Sequence, residues 1–448
     1  MLAGWGKAGP SAARLIDVGP DSLAAAVKEL PARGGIARGL GRSYGDPAQN
    51  SGGHVLRLAP AKDQISIDDA GCTATVGAGV SIDDLLAVIV PRGYFVPVTP
   101  GTRFVTIGGA IASDIHGKNH HADGSFGDHV VGLRLMLADT TIVELGPDRD
   151  PELFWATVGG MGLTGVVIDA TFRLIPIETS RMSVETRRID HLDEIMTRMA
   201  DGDANVKYSV AWIDLLARGR HLGRGVLTNA EHATADDLDA HAAADPLAYA
   251  GRQLVAVPPV VPSPGVINRL SVVAFNELWY RKAPRERQGE LQSIPAFFHP
   301  LDLVGDWNRV YGRRGFLQYQ FVVPFGAEPA LRTVIERISA SALPIFLTVL
   351  KRFGAGNPGH LSFPMGGWTL AIDVPADRTG LAELLHGLDT LVLDAGGRHY
   401  LAKDFQTSPT AIRRGYPRLE EWLAIRHRVD PAGVWASDLS RRLGLTPR

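Results

Sequence analysis

The sequence predicts an α+β chain built as an N-terminal binding domain, an antiparallel-sheet middle domain and a C-terminal return. Three observations carry this. At 448 residues and 45% hydrophobic content the chain is too long for one ordinary core and has apolar material for two or three. Residues 1–180 alternate short strand and helix patterns across Gly-rich connections. Past residue 180 the texture turns to longer alternating strands and amphipathic helices, with no repeat of solenoid length.

The elements follow in order. Asp21 to Leu30 has helical spacing, and Ile36 to Arg38 reads as a short strand entering a Gly loop. His54 to Leu58, Gln64 to Asp68 and Ala74 to Gly79 alternate as strands. Ser81 to Val90 is a helix with Ser81 as cap and Leu85, Leu86 and Ile89 on its apolar face. His129 to Leu137 and Thr140 to Leu145 form a hairpin around Ala138-Asp139; Glu152 to Thr157 is a helix and Gly165 to Ile175 a long strand. Beyond these, strands are expected over 181–188, 208–212, 316–325, 346–353 and 368–374, and helices over 190–199, 328–341 and 381–393. Residues 229–245, rich in Ala, Asp and His, suit a solvated helix or loop. Residues 254–287 set a Pro-rich apolar stretch beside Arg281, Lys282, Arg285 and Arg287; this reads either as a solvated loop or as a lipid-docking segment.

Composition excludes several classes. Forty-six Lys and Arg against 48 Asp and Glu leave a net charge of -2, so no basic field draws nucleic acid. A single cysteine, Cys72, excludes an internal disulfide and any multi-Cys metal site. The longest apolar stretch, Leu254 to Ile267, carries four prolines and cannot span a membrane as a helix. The first twenty residues lack the apolar core of a secretory signal, which makes the chain cytoplasmic by sequence.

Five places could carry chemistry. Arg38 to Asp46 places three glycines in seven residues after a strand, a nest for phosphate oxygens or an ordinary turn. Thr99 to His121 is dominated by small residues and hydroxyls, as a flat ligand pressed on backbone requires. Its histidines have no Cys or Glu to complete a ligand set, so no metal is expected. Gly160 to Gly165 spells GxGxxG, but a helix precedes it and a strand follows, the reverse of the dinucleotide fingerprint. Lys403 lies among apolar residues; it is either a buried lysine of perturbed pKa or a surface lysine paired with Asp404. Gln318 and Gln320 share one face of a strand, which suits a polyhydroxylated ligand or a solvated sheet.

In this order, RGLGRSYGD, PGTRFVTIGGAIASDIHGKNHH and FWATVGGMGLTGVV resemble the loops of the vanillyl-alcohol-oxidase (PCMH-type) flavin family, and VDPAGVWASDLSRRL resembles its closing segment. GWGK near the start, ELWYRK at 277–282, WNRVYG at 307–312, GFLQYQFVVP at 315–324 and LAKD at 401–404 resemble, almost end to end, the branch of that family acting on a polyprenyl-phosphoribose. The resemblance implies a two-subdomain FAD domain from residues 1–180, a substrate domain from 181–397 and a return from 398–448 that completes the FAD domain. It implies that the backbone of Arg38, Gly39, Leu40, Gly41, Arg42, Ser43 and Tyr44 holds the pyrophosphate. Pro100, Gly101, Thr102, Thr106, Gly108, Gly109, Ser113, His116, Gly117 and Asn119 line the flavin. Gly159, Gly162, Gly165 and Val166 hold more of it, and Tyr400 and Lys403 reach the ring. His116 with Lys118, Trp212, Gln318, Gln320, Lys351 and Ala371 makes the substrate wall.

Relatives that bind FAD covalently use a His in the first loop; here Arg42 stands in that place, so the expected FAD is non-covalent. Other relatives carry a Cys where this chain has Ala371 and a Tyr where it has Phe298. The implied reaction is oxidation of the ribose C2′ hydroxyl. Lys403 serves as a cation beside the flavin or as the base, and His116 is the other candidate base. The implied partners are an NAD(P)H-dependent short-chain keto-reductase and a membrane surface, peripheral to the plasma membrane on its periplasmic side. Two alternatives stay open: an alditol or sugar-lactone oxidase acting on a soluble polyol, and a flavoprotein-fold binding module without turnover.

Overall fold

The computed structural model describes residues 1–59, 64–251, 253, 255–258 and 266–446. The chain opens with β1 (Arg14–Val18), α1 (Pro20–Lys28), β2 (Gly35–Arg38) and β3 (His54–Leu58), whose strands form a parallel sheet in the order β1-β3-β2. Leu23 and Val27, four apart on α1, are buried with Val18 and Leu56, and Trp435 from the far end of the chain closes this small core.

The second unit holds β4 (Ile65–Asp68), β5 (Thr73–Gly77), α2 (Ile82–Ile89), α3 (Ile107–Ala112), β6 (Val130–Met136), β7 (Ile142–Leu145), α4 (Pro151–Thr157) and β8 (Val166–Arg173). Its strands form an antiparallel sheet in the order β4-β5-β8-β6-β7. Ser81 caps α2 as expected, accepting from Asp84 N at 3.0 Å. The sequence reading assigned no helix to Ile107–Ala112. Thr106 starts one there by accepting from Gly109 N, and Gly108 lets it lie on β5: a Cβ at Gly108 would sit 3.0 Å from that of Ala78. As read from sequence, the Gly160–Gly165 loop has α4 before it and β8 after it.

The third unit comprises β9 (Arg181–Ile189), α5 (Leu192–Gly202), β10 (Tyr208–Ile213), β11 (Gly225–His232), α6 (Arg269–Lys282), β12 (Glu286–Ser293), β13 (Phe316–Pro324), α7 (Glu328–Ser341), β14 (Thr348–Phe353), β15 (Gly367–Pro375), α8 (Leu381–Asp394) and β16 (Arg398–His399). The strands make one antiparallel sheet in the order β12-β9-β11-β10-β14-β15-β13-β16. One face packs Tyr319, Phe321, Val323, Leu370 and Ile372 against α5, α7 and α8. Each buried Leu, Ile or Phe there stabilises the fold by roughly 1.5–3 kcal/mol. The opposite face is left to other residues, and cross-strand register sets them in rows: Trp212 beside Val349, Val349 beside Ala371, Ala371 beside Gln320, and Gln318 beside Asp373.

Two expectations need correction. Residues 229–232, read as solvated helix or loop, complete β11 because all four find partners in β9 and the first two also in β10. The part of the 254–287 segment from residue 269 onward, read as a solvated loop or a lipid-docking segment, is no loop: it forms α6 and enters β12, with Arg281 paired with Glu277 and Arg287 with Glu290. Leu254 and residues 259–265 of that segment lie outside the described residues. In the return, helix α9 (Leu419–Val429) docks on α4, with Trp422 Nε1 donating to Ala156 O at 2.9 Å, and residues 434–436 pair with Gly35. The return therefore leaves the edge of the large sheet and ends against the N-terminal units.

Candidate active site

Segments from the N-terminal units and from the return meet the polar face of the large sheet. The first is the loop after β2. The carbonyls of Ser43 and Tyr44 accept from Trp5 N and Gly6 N, and Tyr44 N donates to Ala402 O. Among the described residues no protein acceptor meets the N–H groups of Leu40, Gly41, Arg42 or Ser43. Gly41 has φ +67°, a conformation L residues rarely adopt, and Arg42 Nε is buried without a partner. Gly39 presses so close to Thr106 that a Cβ would reach its hydroxyl, so the first and second loops touch. At Gly101 a Cβ would meet nothing within 4 Å. A row of unclaimed N–H groups, an unpartnered guanidinium nitrogen and open space over glycine fit the diphosphate and flat ring of FAD.

Several side chains proposed as cofactor contacts are engaged elsewhere. The Arg38 guanidinium donates to Ala3 O and Ala48 O, anchoring the N-terminus instead of a phosphate. The Thr102 hydroxyl donates to Asp302, and the Asn119 amide donates to Pro97 O and Asp123. Val166 is buried in the first core, and Tyr400 donates to Ser113 O at 2.9 Å. These positions can offer a cofactor backbone or ring face, but not those polar groups. Gly159 and Gly162 both hold φ near +75°, and Gly159 N and Met161 N donate to Ile111 O and Ala112 O, binding the third loop to α3.

Over the sheet face, His116 is enclosed. Lys351 Nζ lies 2.8 Å from its Nδ1 and the Gln320 amide 3.0 Å from its Nε2, while Phe353, Phe363 and Tyr400 surround the ring. Gln320 Nε2, which also donates to Thr369 Oγ1, donates to His116 Nε2, so a neutral imidazole carries its proton on Nδ1 and points it at Lys351 Nζ, which accepts it when unprotonated. Burial first, and the Lys351 charge second, hold His116 well below its ordinary pKa.

Three lysines meet here. Burial brings Lys118 down to about 7; its Nζ donates to Phe297 O and sits over the Phe297 ring. Lys351 falls to about 7 through burial and then through repulsion from Lys403 and Lys118. Lys403 Nζ lies 3.8 Å from the centroid of the Tyr44 ring. Asp404, the partner weighed for it from sequence, is instead held by Arg442 and caps Gln406 and Thr407. Burial lowers Lys403 strongly and Asp373 draws it back. Asp373, which the sequence reading missed, is pushed up by burial and accepts from Gln318 Nε2 at 2.5 Å, and Gln318 also meets the Tyr44 hydroxyl. The signal for Asp373 was its two-residue spacing from Ala371, which places both on the face that carries Gln318 and Gln320. The cleft thus offers cations for an anion, amides for hydroxyls and a lysine poised to exchange a proton.

Residues 19–146 match the FAD binding domain family model, and residues 316–443 match that of D-arabinono-1,4-lactone oxidase. The chain is 45% identical to decaprenylphosphoryl-β-D-ribose oxidase of Mycolicibacterium smegmatis over 99% of its own length and 97% of that protein's. The chain belongs to the decaprenylphosphoryl-β-D-ribose oxidase family. It is an FAD-dependent oxidoreductase. Other relatives stand further from this family: a Streptomyces alditol oxidase is 23% identical over 92% of the chain and 90% of its own length, and L-gulono-1,4-lactone dehydrogenase of Mycobacterium tuberculosis is 22% identical over 94% and 93%. Among the described residues, no helix of this family member is long and apolar enough to cross a membrane.

Proposed function

We propose that the protein oxidises the C2′ hydroxyl of decaprenylphosphoryl-β-D-ribose to the ketone. The observation that carries this is the convergence of Lys118, Lys351 and Lys403 with Gln318 and Gln320 on one sheet face. A soluble polyol needs the amides, but an anionic substrate also relieves the repulsion that Lys403 and Lys118 exert on Lys351. Bound FAD supplies the hydride acceptor. Lys403 takes the hydroxyl proton: burial lowers its pKa so that a share of it is unprotonated near neutrality, whereas both nitrogens of His116 are engaged. His116, steadied by Lys351 and Gln320, orients the sugar, and Asp373 holds Gln318 and tunes Lys403. The unclaimed N–H groups of the first loop support diphosphate binding, and Arg42 in place of a histidine supports non-covalent FAD. Residues 1–180 with 398–448 form the two-subdomain PCMH-type FAD domain, and residues 181–397 the substrate domain.

A partner NAD(P)H-dependent short-chain reductase then reduces the ketone with inversion, giving the arabinose donor for cell-wall arabinan. Because a polyprenyl tail stays in the bilayer, the enzyme works peripherally at the membrane. The surface that supports this is α6, where Leu270 is 83% and Leu278 68% exposed, with Val273 and Trp279 beside them and Arg269 and Lys282 at its ends. Leu278→Ser with Trp279→Ser is expected to lower sedimentation with anionic vesicles while leaving turnover of a short water-soluble prenyl analogue intact; unchanged sedimentation places the contact elsewhere. Dye reduction by a polyprenyl-phosphoribose against xylitol tests the substrate. Turnover with xylitol alone would make the protein a polyol oxidase.

A further inference from the structure

The segment from Phe297 to Asp302 grips the second loop at four points. Thr99 Oγ1 and His299 Nε2 are 2.9 Å apart, and Lys118 Nζ donates to Phe297 O. Asp302 makes the other two: its Oδ1 accepts from Thr102 Oγ1 and its Oδ2 from Arg103 N, both at 2.8 Å. Asp302 is 3% exposed, and its carboxylate spans one peptide with an oxygen committed to each side. Thr102 Oγ1 also accepts from Phe104 N, and the Arg103 side chain is fixed by Asp83 and Gly251 O. The turn so clamped is the one whose Gly101 faces open space. Asp302 also lines a cavity of about 260 Å³ with Arg42 of the first loop, Trp5, Phe104 and Trp307.

We propose that Asp302 is a positioning residue for the cofactor: through Thr102 and Arg103 it sets the second loop in the shape that receives FAD. A segment just ahead of the substrate-side strand β13 thereby controls how firmly the flavin is held. The proposal rests on the placement of the flavin against residues 100–117. Thr102, expected from sequence to touch the flavin directly, acts on it through this clamp instead.

The test uses holoenzyme and the rise of free-flavin fluorescence after dilution. Asp302→Ala is expected to release flavin about tenfold faster or more, the equivalent of one charge-assisted hydrogen bond. Asp302→Asn, which keeps the shape and one acceptor, should lie between. Thr102→Val should also speed release, and combined with Asp302→Ala it should add little, since both act on one contact. Release at the wild-type rate in Asp302→Ala, or fully multiplicative effects of the two changes, overturns the proposal. So does acceleration matched by loss of thermal stability in the flavin-free protein. Should Asp302→Ala not fold, Asp302→Asn and Thr102→Val carry the same comparison. Gly101→Val tests the flavin placement separately. A side chain in that open space should cut flavin loading, and normal loading removes the basis of the inference.

Discussion

If Lys403 is the base proposed above, it and Asp373 together set when the site can accept a proton. A lysine base works only unprotonated, and burial holds Lys403 below its ordinary 10.5, so activity should rise with pH and level off well before 10.5. Lys403→Met should lower kcat by about 10²–10⁴-fold, the usual worth of general base catalysis, with the flavin spectrum kept; near-normal turnover would show that another group takes the proton. Asp373 favours the charged lysine, so Asp373→Asn should move the rising limb of kcat/KM to lower pH. A shift to higher pH, or none, would separate the two residues. The apolar neighbours of Lys403 left a surface lysine paired with Asp404 open beside a buried one, and only the family resemblance placed it in the site; its partner was not legible at all. Asp404 is adjacent in sequence and turns away to Arg442, whereas Asp373 arrives through strand register.

At the scale of elements, whatever is encoded locally was legible. The α2 helix carries its own cap and apolar face, and Glu328–Ser341 was placed to the residue. Ser81→Ala should cost about 0.5–2 kcal/mol of stability, read by urea denaturation, because it removes both the acceptor for Asp84 N and the bond to the Asp84 carboxylate. What sequence could not give depends on distant chain. The α3 helix, poor in helix formers, exists because Thr106 caps it and Ala78 and the third loop hold it. The side chains of Arg38, Thr102 and Asn119 have the right chemistry for a cofactor, but nearer polar groups claim them. The first loop yields a further test: with Arg42 where a histidyl bond would need imidazole, acid denaturation should release FAD into the supernatant. Yellow colour remaining with the precipitate would contradict non-covalent binding.

The whole molecule stores unfavourable charge in its cleft. Between about pH 7 and 10.5 the unfolded chain keeps protons on Lys118 and Lys351 that the folded chain sheds, so these groups make stability rise with pH over that window. Lys351→Met should flatten the rise of melting temperature across it; an unaltered slope would mean Lys351 keeps its ordinary pKa. On the proposed function, substrate phosphate should offset the repulsion on Lys351, which would link stability to function. The most direct test is anaerobic addition of a polyprenyl-phosphoribose to the flavin-loaded protein. The account predicts bleaching of the oxidised flavin absorbance near stoichiometric substrate, with the 2′-ketone recovered and no bleaching by xylitol at equal concentration. Bleaching by xylitol with none by the lipid sugar would contradict it.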